Sequence, residues 1–409
     1  MILNYWHFRA GLGVLVVLLA LGVDSRADDW PHWRGPQYNG ISSEKGWATR
    51  WPAEGPKTLW KASVGIGFSS VAAVQGRVYT AGYAEEKETI YCLNVSDGKI
   101  VWQNSYDSDL GDKFFEGGPT ATPTVDGDSV YTLSRWGDLF CFEAGSGKIR
   151  WSKNIQKEKG VRVPGWGFAG SPTILGDLLL LNVGEAGMAL EKSNGKVVWN
   201  SANKDAGYST PVPWTRGKET LAIFSSGKSF AAVDARTGKE QWTIPWNTQY
   251  GVNAADPILT DDSIFVCSGY GKGAALWKFG AAPELIWQNK QMRNQTNPSI
   301  LLKGYLFGID GDAGSRATLK CMELKSGNVL WSEPSSGLGS VMIANEQLIV
   351  LSEKGELMVA PATPTGFKPT ARAQVLGGKC WTVPVLANAK LYCRNAAGDL
   401  ACVDVSARP

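Results

Sequence analysis

Histidine is close to absent from this sequence, with two residues in 409, His7 and His32. A multi-histidine zinc centre or a Ser-His-Asp triad therefore has almost no material to use, because His7 falls within the leading segment read below as a signal peptide. No two cysteines are adjacent, none are spaced CxxC, and no CxxCH for covalent haem occurs. The cysteines number seven, so at least one thiol has no partner within the chain. Excess charge is missing too: 41 Lys+Arg against 38 Asp+Glu leave +3, and the charged 19% form no blocks. That excludes the basic stripe a nucleic-acid partner needs. Strongly apolar sequence is confined to "AGLGVLVVLLALGV" at 10–23, too short for a comfortable membrane span. Preceded by Arg9 and followed by "SRA", it reads as a signal peptide over 1–27, cleaved after about Ala27. The first cysteine is Cys92, so no lipid-anchor cysteine follows it. The mature chain is expected to be periplasmic or secreted, without a stable membrane span.

Tryptophan and glycine, by contrast, are plentiful at 18 and 48 residues, and they recur together. "NVSDGKIVW" at 94–102 returns as "EAGSGKIRW", "EKSNGKVVW", "DARTGKEQW" and "ELKSGNVLW". These phrases supply Gly98 and Trp102, Gly147 and Trp151, Gly195 and Trp199, Gly238 and Trp242, and Gly327 and Trp331. Trp60 and Trp287 extend the series, and the spacings from Trp60 onward are 42, 49, 48, 43, 45 and 44 residues. A period in the forties made of short strands predicts propeller blades of four antiparallel strands. The glycine suits a turn with positive φ, and the tryptophan supplies an apolar plate between neighbouring blades, so both read as structural.

Eight all-β units result, at 68–102, 119–151, 168–199, 208–242, 251–287, 296–331, 339–372 and 383–404. Unit five carries Pro283 in place of the turn glycine, and unit seven has no closing tryptophan; without it the count is seven. The last unit lacks an outer strand, and "GPKTLWKASV" at 55–64 supplies one, so the chain ends are expected to pair and close the ring. One propeller over 55–405 follows a strap at 28–54, whose Trp30, Trp33, Trp47 and Trp51 argue that it packs on the ring. Cys92, Cys141, Cys321 and Cys402 share one repeat position with Ala189 and Ala232 and read as buried filler. Cys380 and Cys393 are the one plausible disulfide pair.

"AAVDARTGKEQW" at 231–242 resembles the pyrroloquinoline-quinone-type (PQQ-like) propeller repeat, and the likeness extends over roughly 55–405. "DWPHWRGPQYNGIS" is similar to the leader of secreted bacterial PQQ-like proteins. The resemblance implies either a PQQ-dependent alcohol or sugar dehydrogenase or a cofactor-free scaffold such as BamB, the propeller lipoprotein of outer-membrane β-barrel assembly. Dehydrogenases of the family hold the quinone between a tryptophan and a vicinal Cys-Cys disulfide, with Ca²⁺ on Glu, Asn and Asp. No Cys-Cys pair occurs here, so no catalytic residue or metal ligand transfers. The reading is therefore a non-catalytic, BamB-like binding or scaffolding module with no cofactor, its partner a protein or peptide of the cell envelope. A dehydrogenase using PQQ with Ca²⁺ and a carbohydrate-binding propeller are the alternatives.

Two further motifs carry little. "SGYGKGAAL" at 268–276 falls inside a hairpin rather than before a helix, against a phosphate loop. "DGDAGS" at 310–315 lacks most calcium ligands and reads as a solvated turn. The loops feeding the inner strands place Glu116, Trp166, Phe168, Tyr208, Tyr250, Asn253, Arg293, Asn297 and Trp381 near one mouth of the channel. Aromatics among amides suit a small planar ligand, a glycan or an extended peptide; equally, they could cap and fill the channel.

Overall fold

A short strand with apolar residues on both faces must be covered on both, and stacked blades do this by covering one another. In the computed structural model, which describes Met1 and residues 29–407 apart from 114, 218, 281 and 336, the strands form eight sheets. Unit seven is a full blade, so the count is eight. The segment read as a signal peptide lies outside the described residues, Met1 excepted. Among the described residues no helix is long and apolar enough to cross a membrane.

Each blade runs from an inner strand to an outer one, the outer being the longer in every blade but the seventh. Blade 1 is Ala72–Val74, Arg77–Ala84, Lys87–Asn94 and Ile100–Asp107. Blades 2 to 6 follow at 124–154, 173–200, 212–245, 258–289 and 300–335, and blade 7 at 340–374. Blade 8 takes three strands from the C-terminal end, and its outer strand, Thr58–Ser63, from the N-terminal side. Trp60 pairs with Cys402 and Ser63 with Asp399, which closes the ring.

The repeated phrase now has a mechanism. In six blades the tryptophan stands opposite the repeated small position, as with Trp102 and Cys92, Trp199 and Ala189, and Trp331 and Cys321. Its ring lies against the next blade, and in five of the six its Nε1 donates to a carbonyl there, as with Trp60 to Val95, Trp102 to Ala144 and Trp199 to Ala235. The facing residue is the repeat glycine at Trp60, Trp102, Trp151 and Trp199, whereas Trp331 meets Phe367 of blade 7, ring centroids 6.0 Å apart. Gly147 has φ +72°, and a Cβ on it would sit 2.6 Å from the Trp102 ring. Blade 5 has no such glycine, and Trp242 packs instead on Phe279, ring centroids 5.7 Å apart.

All seven cysteines are free and buried, Cys380 and Cys393 included. The expected disulfide is thus corrected: both side chains fill apolar space in the core, and burial pushes the Cys380 thiol up to about 12.

Residues 29–47 cross the channel. Trp30 bridges Ala73 of blade 1, Pro31 accepts from Val125 of blade 2, and the Tyr38 hydroxyl donates to Ile174 of blade 3. Arg34 donates to Ser299 at blade 6, and Ile41–Ser42 adds a parallel fifth strand inside blade 7. Glu44 then accepts from Asn388 and Ala389 in the first turn of blade 8. These contacts lie on the side of the turns between first and second strands. The channel is closed from that side.

A candidate binding cup at the closed channel

The cup begins with a proline pattern. Thr122, Ser171, Thr210 and Asp256 each precede a proline, which holds them extended at the start of an inner strand. Each presents an oxygen to the preceding blade. Ser70 N–H donates to Thr122 Oγ1 (3.1 Å), Thr122 to Ser171 Oγ (2.9 Å), Ser171 to Thr210 Oγ1 (3.0 Å) and Thr210 to Asp256 Oδ1 (2.7 Å). This belt stitches five blades around the axis.

At Asp256 the hydroxyl is replaced by a carboxylate, and the second oxygen receives the strap. Trp33 Nε1 donates to Asp256 Oδ2 at 2.6 Å, and Arg34 Nε lies 3.9 Å from the same oxygen. Both charged groups are buried. Burial pushes the Asp256 carboxyl up, opposed by the Arg34 charge and by the bonds from Trp33 and Thr210. Arg34 Nε also donates to the Tyr38 carbonyl, and its Nη2 to those of Asn39 and Ser299.

With Trp33 among its lining residues, the open end of the channel is a blind cup of about 250 Å³. Its walls are Phe68, Phe115, Trp166, Tyr208, Tyr270 and Trp381, with Thr120, Ser171, Gln295, Thr296 and Asn297 between them. Phe68 lies 5.8 Å from Phe115 and 5.7 Å from Trp381, centroid to centroid, and Trp166 meets Tyr208 edge-on at 5.9 Å.

Of the residues named from sequence, Trp166, Tyr208, Asn297 and Trp381 meet in this cup. Glu116 is not among the lining residues and pairs with Lys379, whose ammonium stands 4.5 Å from the centre of the Trp381 ring. Phe168 is 1% exposed and packs in the core between blades 2 and 3. Asn253 is fully buried and donates to the carbonyls of Ser226 and Trp246. Tyr250 stands exposed against Tyr270, outside the lining, and Arg293 is bound to Asp310 at 2.9 Å. Trp33, Phe68, Phe115, Asp256 and Tyr270 were not anticipated. The Asp-Pro of "AADP" standing where other loops have Ser-Pro or Thr-Pro was the one available signal.

Fold and cup together define an eight-bladed propeller with one open mouth. The family described as outer membrane protein assembly factor BamB matches residues 44–119 and 108–333, and the chain belongs to this family of PQQ-like repeat propellers. No curated protein matches the sequence. Among solved structures, BamB from Moraxella catarrhalis is similar at 15% identity and a TM-score of 0.64, covering 85% of this chain and 99% of that one. Quinohemoprotein alcohol dehydrogenase from Comamonas testosteroni is similar at 11% and 0.69, covering 93% and 81%. The computationally designed Ika8 protein gives 10% and 0.61, covering 85% and 100%. At such identities the likeness is one of fold, shared by proteins of different kinds.

The dehydrogenase branch of the family implies a calcium-bound quinone in the channel. Asp256 is the one carboxylate among the cup's described lining residues, and both of its oxygens already accept hydrogen bonds beside Arg34. That donor set does not fit Ca²⁺ with a quinone.

Proposed function

We propose that this chain is a non-catalytic binding module of the cell envelope that engages its partner, a protein or peptide, through the cup face. One observation carries the reading: the strap makes the channel a blind cup whose carboxylate is committed to structure, leaving aromatic surface for a ligand. An acid, base or nucleophile at its centre would need an uncommitted group. The family description, an outer membrane protein assembly factor, supports the envelope setting.

A photo-cross-linking residue placed at Tyr250, 56% exposed on the cup side, is expected to yield a discrete partner adduct in envelope preparations. The same residue at Ser96, in a turn on the opposite face, is expected to yield none. In parallel, the purified chain is titrated with PQQ and Ca²⁺ while its melting temperature is followed, because a native-state ligand raises stability. A calcium-dependent rise accompanied by dye-linked alcohol oxidation would establish the dehydrogenase instead.

A further inference from the structure

The cup has a chemical bias that narrows its ligand. Aromatic rings face it from several blades, those of Phe68, Phe115, Trp166, Tyr208 and Trp381, and Trp33 joins them from the strap. Three cationic side chains beside it are engaged elsewhere. Arg34 faces Asp256 and three carbonyls, Lys379 pairs with Glu116, and Arg135 donates to the carbonyls of Leu110 and Trp166. None of these three is left open for an anion.

Amide donors are committed as well. Asn297 Nδ2 donates to the carbonyls of Trp381 (2.7 Å) and Gly339 (3.4 Å), and Gln295 Nε2 donates to the Tyr270 hydroxyl (3.0 Å). A sugar, which needs several directed donors and acceptors, is poorly served. Negative potential, in contrast, is supplied. Trp381 Nε1 donates to Glu353 Oε2 at 2.9 Å, and the same oxygen accepts from the Leu338 N–H at 2.7 Å. A carboxylate behind the indole raises the electron density of its face. That ring already holds an ammonium, Lys379 Nζ at 4.5 Å.

We infer that the cup binds a small alkylated organic cation of the quaternary ammonium class, held by ring faces rather than by hydrogen bonds. The inference rests on the cup being the binding site of the module, and it names the chemistry of the group the partner or ligand would present. Choline, free or as a lipid head group, is the simplest carrier of that chemistry.

The test is calorimetric titration of the intact chain with choline and with its neutral carbon isostere, in which a tert-butyl group replaces the trimethylammonium. Choline is expected to bind saturably and the isostere about tenfold more weakly or less. Trp381→Leu should lose about tenfold for choline, Trp381→Phe less, and Glu353→Gln a few-fold, with each melting temperature checked. Co-sedimentation with phosphatidylcholine vesicles assigns the source: vesicle binding points to a lipid head group, binding of free choline alone to a solute. Equal affinity for the isostere would overturn the cation inference while leaving the cup as a binding site. Saturable binding of a hexose without choline would do the same. No binding by any probe, with the Tyr250 adduct still formed, would overturn the cation inference and leave the module reading in place.

Discussion

Asp256 stands where neighbouring blades use a hydroxyl, and its extra oxygen is what the strap grips. The histidine beside that grip, His32, is buried and stacks on Tyr38 with ring centroids 3.9 Å apart. Burial lowers its pKa to about 4, against weaker opposing effects of the Trp33 carbonyl and Asp126. Its native pKa thus lies below the unfolded value of 6.5, so the unfolded chain binds more protons between the two. Stability rises with pH across that window; it is complete above about 6.5 and lost as pH falls towards 4. His32→Phe keeps a ring on Tyr38 and removes the titration. Urea unfolding from pH 7 to pH 4 should show the wild type losing up to about 3 kcal/mol more than the variant. Residue identity was legible where the repeat fixed it, less so in the loops. Phe168 and Asn253 share loops with residues near the cup, yet turn into the core, because an irregular loop has no period to assign a side chain to one face.

At the scale of the blade, the sequence was read most fully. The glycine, the tryptophan four residues on and the small partner across the strand are local, periodic and repeated, so each copy corroborates the rest. Gly147→Ala tests the contact. The substitution forces a side chain to φ +72° and drives Cβ to 2.6 Å from the Trp102 ring. A loss of about 2–4 kcal/mol is expected in denaturant unfolding, the sum of backbone strain and overpacking. Pro283 marked blade 5 as different, but that Phe279 would take the role of turn glycine against Trp242 was not legible. The two are far apart in sequence and meet only once blades 4 and 5 stack. The supposed Cys380–Cys393 pair fails for a related reason: closeness in sequence says nothing about which way two neighbouring side chains enter a core.

For the whole molecule, the strap decides what kind of ring this is. Its four tryptophans announced that it packs, but its path depends on partners such as Asp256 and Ser299, more than 200 residues away. A chain begun at residue 55 keeps the closing strand Thr58–Ser63 and should retain the far-ultraviolet signature of eight blades. Hydrogen exchange at Ala72–Val74, Ile300–Leu302 and Ser340–Ala344, the inner strands beneath the strap, should rise relative to the outer strands. With the strap in place, nothing can thread through the propeller. Whatever enters must leave by the door it came in, so a polymer can be read only at its tip or by a pendant group, never along its middle. Recognition of that kind counts ends rather than length, and it lets a captured chain go without having to run its whole contour through the ring.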